Sequence, residues 1–380
     1  MNVSPAASAP QAVEVHSRRL HVGIAGLLLA PQRGVLVEAL RFLLIGAQVL
    51  ADPCPQFRAR GGAAAAEVHH VHPAGHALDL HVAEAAALPS AGGDRSHAND
   101  ARNGQLNASA PCPWPAMRVL QLSDPHLLAD PRGRCRGRDP LAQLHHGWHQ
   151  ALAQLAAPPD LLLISGDLCQ DESWGGYVQL RRFLAASVAP AGIPVALLPG
   201  NHDHPALLQA VLARSGAALA PALVPLGPWD LLLLSTHRPA AVEGWIEPGQ
   251  LAWLARQLAS GEGPLLVALH HPPVLLGSGS ALDALALQRP ERLLELLLAS
   301  ERVRGVVFGH IHQHWQGGLD RPAGGAPLLL LGCPSTLAAF NAVQPCPLGR
   351  PDWPGGRLLE LGATGVIRTR LLRWPPLDAD

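Results

Sequence analysis

Lysine is absent from this chain, and all 28 basic residues are arginine. Tyrosine occurs once, methionine twice and phenylalanine five times. Charge of one sign is also lacking: the formal net charge is −1. Without a basic excess, nothing favours non-specific attraction to nucleic acid or to anionic lipid. The six cysteines form no Cys-x-x-Cys pair and no dense framework. This argues against a disulfide-stapled secreted fold and reads as reduced thiols in a cytoplasmic protein. A membrane span needs about 20 uninterrupted apolar residues. The most apolar stretch, Leu20 to Leu50, is broken by Pro31, Arg33, Gly34, Glu38 and Arg41. It is also a poor secretory leader: Arg18 and Arg19 precede a short apolar run, but no small-residue cleavage site follows. Nucleic acid and membrane are therefore not expected partners.

What is abundant is alanine, leucine, glycine, proline and, unusually, histidine, of which there are 20. The apolar fraction of 48% is enough for a large core. Residues 1–116 differ in character from the rest. They carry alanine-rich and histidine-rich runs, with His69, His70, His72 and His76 close together, and they end in a stretch rich in Gly, Ser, Asn, Ala and Pro. The reading is a low-complexity, largely unstructured extension. Its histidine cluster has no acidic or cysteine partner at ligand spacing. Met117 stands one residue before the first strand-like run, so translation from Met117 and a dispensable extension are the expectation.

From Met117 to about residue 376, apolar runs alternate with amphipathic stretches, the pattern of an α/β domain with buried, largely parallel strands. The runs are 118–122, 161–164, 195–198, 231–234, 265–269 and 305–308. Helical periodicity appears at about 141–156, 177–186, 205–213, 248–258 and 290–298, and further strands at 328–331, 357–361 and 366–372. Five of the six runs end in a polar cluster: Ser123-Asp124-Pro125-His126, Gly166-Asp167, Gly200-Asn201-His202-Asp203, His270-His271, and Gly309-His310-Ile311-His312. Ligands of open α/β sheets bind beyond the carboxyl ends of the strands, so these distant clusters are expected to meet at one edge. Asp124 and His126 are two apart, as are His310 and His312. In an extended segment each pair would point one way. Carboxylate, amide and imidazole together suit Mn²⁺, Fe²⁺ or Zn²⁺ rather than Ca²⁺ or an iron–sulfur cluster.

In this order the clusters resemble the signature of the calcineurin-like metallophosphoesterases, D-x-H, GD, GNH, H and GHxH, with every position filled. The resemblance implies a four-layer α-β-β-α sandwich with two mixed sheets. It implies that Asp124, His126, Asp167 and His312 hold one divalent ion and that Asp167, Asn201, His270 and His310 hold a second, with Asp167 bridging. His202 would contact the phosphate and protonate the leaving oxygen, and Asp203 would orient His202. Gly166-Asp167-Leu168-Cys169-Gln170-Asp171, His270-His271-Pro272-Pro273, Gly332-Cys333-Pro334-Ser335-Thr336 and the tail 354–361 are similar to the bacterial class III 3′,5′-cyclic nucleotide phosphodiesterases. That branch often carries Trp before the Leu-Asp that here follows Ala281. The expected activity is metal-assisted hydrolysis of a small phosphodiester. Another phosphomono- or diester, such as a nucleic acid end or a lipid headgroup, is the first alternative, and a non-catalytic binding protein on the same fold is the remote one. The Ser/Thr phosphatase branch is disfavoured, because its arginine contexts are replaced by Gln170-Asp171 and Pro199.

Several residues carry weaker signals. His271 follows a candidate ligand but should point the opposite way on a strand. His204 and His314 are candidates for lining the cleft. His145, His146 and His149 read as a solvated helix face, Arg132, Arg134, Arg136 and Arg138 as a basic loop, and Cys169 as a packed thiol with no base to activate it.

Overall fold

The computed structural model describes residues 116–277 and 282–377. Apart from Ala116, the expected extension lies outside the described residues, as does Ala281. The elements run β1 (Met117–Leu122), α1 (Pro140–Ala153), β2 (Leu161–Ser165), α2 (Trp174–Phe183), β3 (Val195–Leu198), α3 (Pro205–Leu212), β4 (Ala218–Leu219), β5 (Ala222–Leu226), β6 (Trp229–Leu233), α4 (Pro248–Ala259), β7 (Leu265–Ala268), α5 (Glu291–Ala299), β8 (Val303–Phe308), β9 (Trp315–Leu319), β10 (Leu328–Gly332), β11 (Gly355–Leu361) and β12 (Ile367–Arg373). Helix starts follow their local chemistry. Asp139 accepts from the Ala142 N–H ahead of α1 (3.0 Å), and Ser173 accepts from the Gly176 N–H ahead of α2 (3.0 Å). Pro140, Pro205 and Pro248 stand in first turns, where a missing N–H costs nothing.

Two six-stranded sheets form, in the orders β12-β11-β1-β2-β3-β4 and β5-β6-β7-β8-β10-β9. Their centres are parallel: β1 through β4 in one, and β6, β7, β8 and β10 in the other. The outer strands β11, β12, β5 and β9 are antiparallel. The six apolar runs are all parallel strands, and the antiparallel outer strands make both sheets mixed, as the resemblance implied.

The continuous apolar runs have a simple cause. In β2, Leu162 and Ile164 enter the core under the helices, whereas Leu161 and Leu163 enter the core between the two sheets. In β7, Leu265 and Val267 face the helix side and Leu266 and Ala268 the sheet–sheet side. Both faces of each central strand are covered, so neither can be polar. Each buried leucine contributes about 1.5–3 kcal/mol. These layers, helices outside two packed sheets, are the expected four-layer sandwich. Arg357 of β11 is buried between the sheets, where it donates to the Gly332 carbonyl (2.8 Å) and the Trp315 carbonyl (3.4 Å) of the opposite sheet and to His314 Nδ1 (2.9 Å).

Candidate metal centre

The loops after β1, β2, β3, β7 and β8 converge at one edge of the sandwich. Their backbones are bound to one another: the Asp124 N–H donates to the Gly166 carbonyl (3.1 Å), the His126 N–H to the Asp167 carbonyl (2.9 Å), and the Gly309 N–H to the His270 carbonyl (3.1 Å). The extended geometry expected of the two paired motifs is not what forms. Asp124, His126, Asp167, His310 and His312 all have left-handed backbone, with φ between 48° and 66°. Left-handed residues flanking Pro125 and Ile311 coil the chain. His310 is thereby sent to one donor group and His312 to the other, which an extended segment could not do. Each such residue costs on the order of 1 kcal/mol or more, and it persists only where its surroundings over-determine it.

The motif glycines are explained by close approach. A Cβ on Gly166 would lie 2.1 Å from His270 Nδ1, one on Gly200 would lie 2.2 Å from Asp167 Oδ1 and 2.6 Å from His270 Nε2, and one on Gly309 would lie 2.1 Å from Ser123 Oγ. Candidate ligands therefore pack directly onto glycine Cα atoms.

Four donors, from Asp124, His126, Asp167 and His312, lie within 4.8 Å of one another and are all buried. His312 Nε2 is 3.0 Å from His126 Nε2 and 3.3 Å from Asp124 Oδ1. On the other side, His270 Nε2 is 3.4 Å from Asp167 Oδ1 and 4.0 Å from Asp124 Oδ1, and His310 Nδ1 is 3.0 Å from Asn201 Oδ1. Asp167 Oδ2 faces His126 Nε2 at 3.7 Å, so its two oxygens look toward different histidines. Donor atoms on a transition-metal ion stand about 3–3.4 Å apart, given bonds of about 2.0–2.2 Å. The residues fit the implied cations in a second way. His270 Nε2, which faces Asp167 and Asp124, is buried without a hydrogen-bond partner. The far nitrogens of His270 and His312 donate to the Ser165 carbonyl (2.8 Å) and the Ala338 carbonyl (2.9 Å), which leaves Nε2 as a lone pair turned inward.

The electrostatics agree. Burial resists ionisation of Asp124, but His312 and His270 outweigh it and hold the carboxyl below its ordinary value. Asp167 is held well below its ordinary value by His270 and His126, again against burial. Burial pushes His126 down to about 3, and burial with neighbouring His270 pushes His310 down to about 4. His270 is raised to about 9, because Asp167 and Asp124 outweigh its burial. Anionic carboxylates beside the neutral imidazoles of His126 and His310 are the protonation states that a divalent cation requires, and His270 must release its proton to join them.

His271 belongs geometrically to a group with His270 and His310, yet both of its nitrogens are engaged: Nδ1 with Thr236 Oγ1 (2.7 Å) and Nε2 with the Val242 carbonyl (2.9 Å). It supports the wall and has no free lone pair. Asp203, expected to orient His202, does something else. Its carboxylate accepts from the backbone N–H groups of Leu168 (2.9 Å), Cys169 (3.0 Å) and Gly200 (2.8 Å) and from the Tyr177 hydroxyl (3.0 Å). It ties the loop after β2 to the loop after β3, and those four donors use up the oxygens that His202 would need. The side chain that meets His202 is Gln170, whose Nε2 lies 3.2 Å from His202 Nδ1.

His204 caps α3, and His314 accepts from Arg357, so neither joins the convergent donors. The helix face carrying His145 and His146 is partly covered, not solvated: His145 packs edge-on against Phe183, and His146 meets the Pro375 carbonyl (2.9 Å). Burial and Asp171 push the Cys169 thiol up to about 12, in line with a packed thiol.

Three contributors lie outside the sequence reading. The fourth apolar run, which forms β6, also delivers polar groups, Thr236 and His237, and His237 Nδ1 donates to the Gly200 carbonyl (3.0 Å). The Ser-Thr-His after that run was the available signal. Phe340 stacks on His312, with ring centroids 4.0 Å apart and an interplanar angle of 6°, and Arg136 lies over Phe340 at 4.6 Å. Arg136 and Gly137 form the left-handed centre of a tight turn closed by paired bonds between Cys135 and Arg138 (2.9 and 3.0 Å). Arg138 anchors that turn on the Leu337 carbonyl at 2.7 Å.

Carboxylates bracketed by neutral imidazoles at the carboxyl edge of a two-sheet sandwich define a metal-dependent hydrolase. Residues 117–314 match the family described as calcineurin-like phosphoesterase. The chain belongs to that family and is a phosphoester hydrolase. A Synechococcus sp. (strain WH7803) protein named a probable cyclic nucleotide phosphodiesterase is 47% identical over 263 residues, 68% of this chain and 96% of the relative. The 3′,5′-cyclic adenosine monophosphate phosphodiesterase CpdA of Pseudomonas aeruginosa is 35% identical over 277 residues, covering 70% of this chain and 93% of the relative. CpdA of Escherichia coli (strain K12) is 32% identical over 264 residues, 68% of this chain and 90% of the relative.

Proposed function

We propose that the domain formed by residues 117–376 hydrolyses 3′,5′-cyclic nucleotides to nucleoside monophosphates with two divalent cations. Asp124, His126, Asp167 and His312 would hold one, Asp167, Asn201, His270 and His310 the other. The observation that carries the two-ion reading is Asp167, whose two buried oxygens face histidines of different groups. The substrate follows from the relatives, which are named for cyclic nucleotides or cyclic AMP. The donor set suits Mn²⁺ or Fe²⁺, with Zn²⁺ an alternative.

When bound, the cations would supply Lewis-acid polarisation of the phosphoester and activation of water. The protein's own part is to preorganise. The His310 N–H donates to both oxygens of Asp124 (3.2 Å each) and fixes that carboxylate. The His202 N–H donates to Asp167 Oδ1 (2.9 Å), which places the His202 ring edge-on to His126 at 5.2 Å. There it can serve the phosphoryl group and the leaving oxygen. The four cysteines among the described residues are free thiols, in keeping with a reducing, cytoplasmic setting, and no helix among the described residues is long and apolar enough to cross a membrane.

The test is a panel assay of the purified protein with Mn²⁺, Fe²⁺ or Zn²⁺ on cyclic AMP, cyclic GMP, 2′,3′-cyclic nucleotides and an aryl phosphodiester. Metal-dependent release of the 5′- or 3′-monophosphate from a 3′,5′-cyclic nucleotide is the expected result. Good turnover of another ester beside none of any cyclic nucleotide would transfer the reading to a different phosphoester.

A further inference from the structure

The side-chain partner of His202, the candidate catalytic histidine, is a neutral amide. Gln170 Nε2 stands 3.2 Å from His202 Nδ1. The far end of this amide is held as well, because Cys135 Sγ donates to Gln170 Oε1 at 3.5 Å. With Oε1 engaged by a thiol donor, the NH₂ group is the part that faces the ring. His202 Nδ1 is then the acceptor, and the ring proton resides on Nε2. The backbone under Gln170 is equally fixed, since its N–H donates to the Leu127 carbonyl at 2.8 Å. Cys135 in turn sits on the tight turn whose paired backbone bonds close at 2.9 and 3.0 Å.

We propose that Gln170, held by Cys135, is the positioning residue of His202, and that it presents the Nε2–H of that ring to the phosphoester oxygen. This rests on the reading that His202 serves the reacting phosphoester. Its consequence is that His202 acts from a ring braced by an amide rather than by a carboxylate. Asp203 is fully committed to backbone donors and Tyr177 and takes no share. Among the described residues, no hydrogen bond joins the Gln170 side chain to a candidate ligand, so its effect is expected to pass through His202.

A double-mutant cycle on the full chain loaded with Mn²⁺ tests this, with bis(4-nitrophenyl) phosphate and an aryl diester of a poorer leaving group as probes. The variants are Gln170→Met, which keeps the volume and loses the donor, His202→Ala, and the two combined. Gln170→Met is expected to lower kcat about tenfold, the low end of what loss of an orienting partner costs. KM, bound metal and Tm should stay near their starting values, and the loss should be larger for the poorer leaving group. In the His202→Ala background the same change should do nothing further. Cys135→Ala should reproduce a fraction of the loss, and Cys135→Ser, which keeps a donor, should restore it.

Equal losses in both backgrounds would overturn the proposal, because Gln170 would then act on something other than His202. So would an unchanged kcat in Gln170→Met, or a loss of bound metal. Wild-type kcat in His202→Ala alone would instead sink the role given to His202, and this proposal with it, a result separable from the others.

Discussion

Gly200→Ala gives the sharpest test of how tightly the centre is built. The added Cβ would stand 2.2 Å from Asp167 Oδ1, 2.5 Å from the Asp167 backbone nitrogen and 2.6 Å from His270 Nε2, where ordinary contact begins at 3.4 Å. The shortfall is about 1.2, 0.9 and 0.8 Å. A flexible side-chain tip could absorb one of these. The backbone nitrogen cannot, because the Asp167 carbonyl is tied to His126 and its neighbour Leu168 to Asp203. The loop after β3 must therefore retreat by about 1 Å, or Asp167 and His270 must turn away. Overpacking of this kind costs about 1–3 kcal/mol, which for a domain of this size lowers Tm by a few degrees per kcal/mol. Displacement of about 1 Å in a reacting constellation costs about 10²-fold in rate. Gly200→Ala is thus expected to remain folded, to fall at least about 10²-fold in kcat/KM on bis(4-nitrophenyl) phosphate, and to bind less metal by elemental analysis. Gly249→Ala, in α4 with open space around the new methyl, is the matched control. It should keep full activity and gain up to about 0.5 kcal/mol. If Gly200→Ala keeps full metal and activity within threefold of wild type, the packing of glycine onto the donors is not what holds the centre.

Asp167→Asn should abolish turnover and lower the bound metal at both positions, read by elemental analysis, whereas a variant retaining one full equivalent would show that Asp167 does not bridge. His202→Ala should leave metal content unchanged and cut kcat by about 10²–10⁴; loss of metal would move His202 into the donor set. Arg357→Met removes the buried donor of the Gly332 and Trp315 carbonyls and should cost about 3 kcal/mol in urea unfolding, and an unchanged midpoint would show that water replaces it. Residues 117–380 expressed alone should be soluble and as active as the full chain, and aggregation would mean that the domain extends beyond the proposed boundary.

The donor clusters were legible because each is a short local word at the end of an apolar run, and the runs themselves are apolar on both faces, as Leu161–Ile164 illustrates. The edge strands β4, β5 and β9 were not legible, although β12, also at an edge, was read as the run 366–372. β5 contains Pro225 and β9 contains Gly317 and Gly318, residues that weaken a strand signal and are tolerated there because an edge has fewer bonds to make. Nor were contacts made across long separations. His237 to Gly200, Phe340 to His312 and Gln170 to His202 join residues that share no spacing rule. The link of Asp203 to His202 that the resemblance implies is not made either: the folded loop turns the carboxylate into a nest of N–H donors. The paired ligand motifs were found for a partly mistaken reason, because their two-residue spacing works through a left-handed coil and not through a strand.

The tight turn at residues 135–138 reaches His202 and His312 from outside. Through Cys135 it meets Gln170 and so His202, and through Arg136 it meets Phe340 and so His312. Its tip is exposed, and its fold rests on two backbone bonds, a glycine and the bonds from Arg134 and Arg138 to the Gly137 and Leu337 carbonyls. Surface turns tolerate drift that ligands do not. Exchanges in this turn would therefore bear on His202 and His312 while leaving all seven candidate ligands in place, and an engineer seeking to retune the site would begin there.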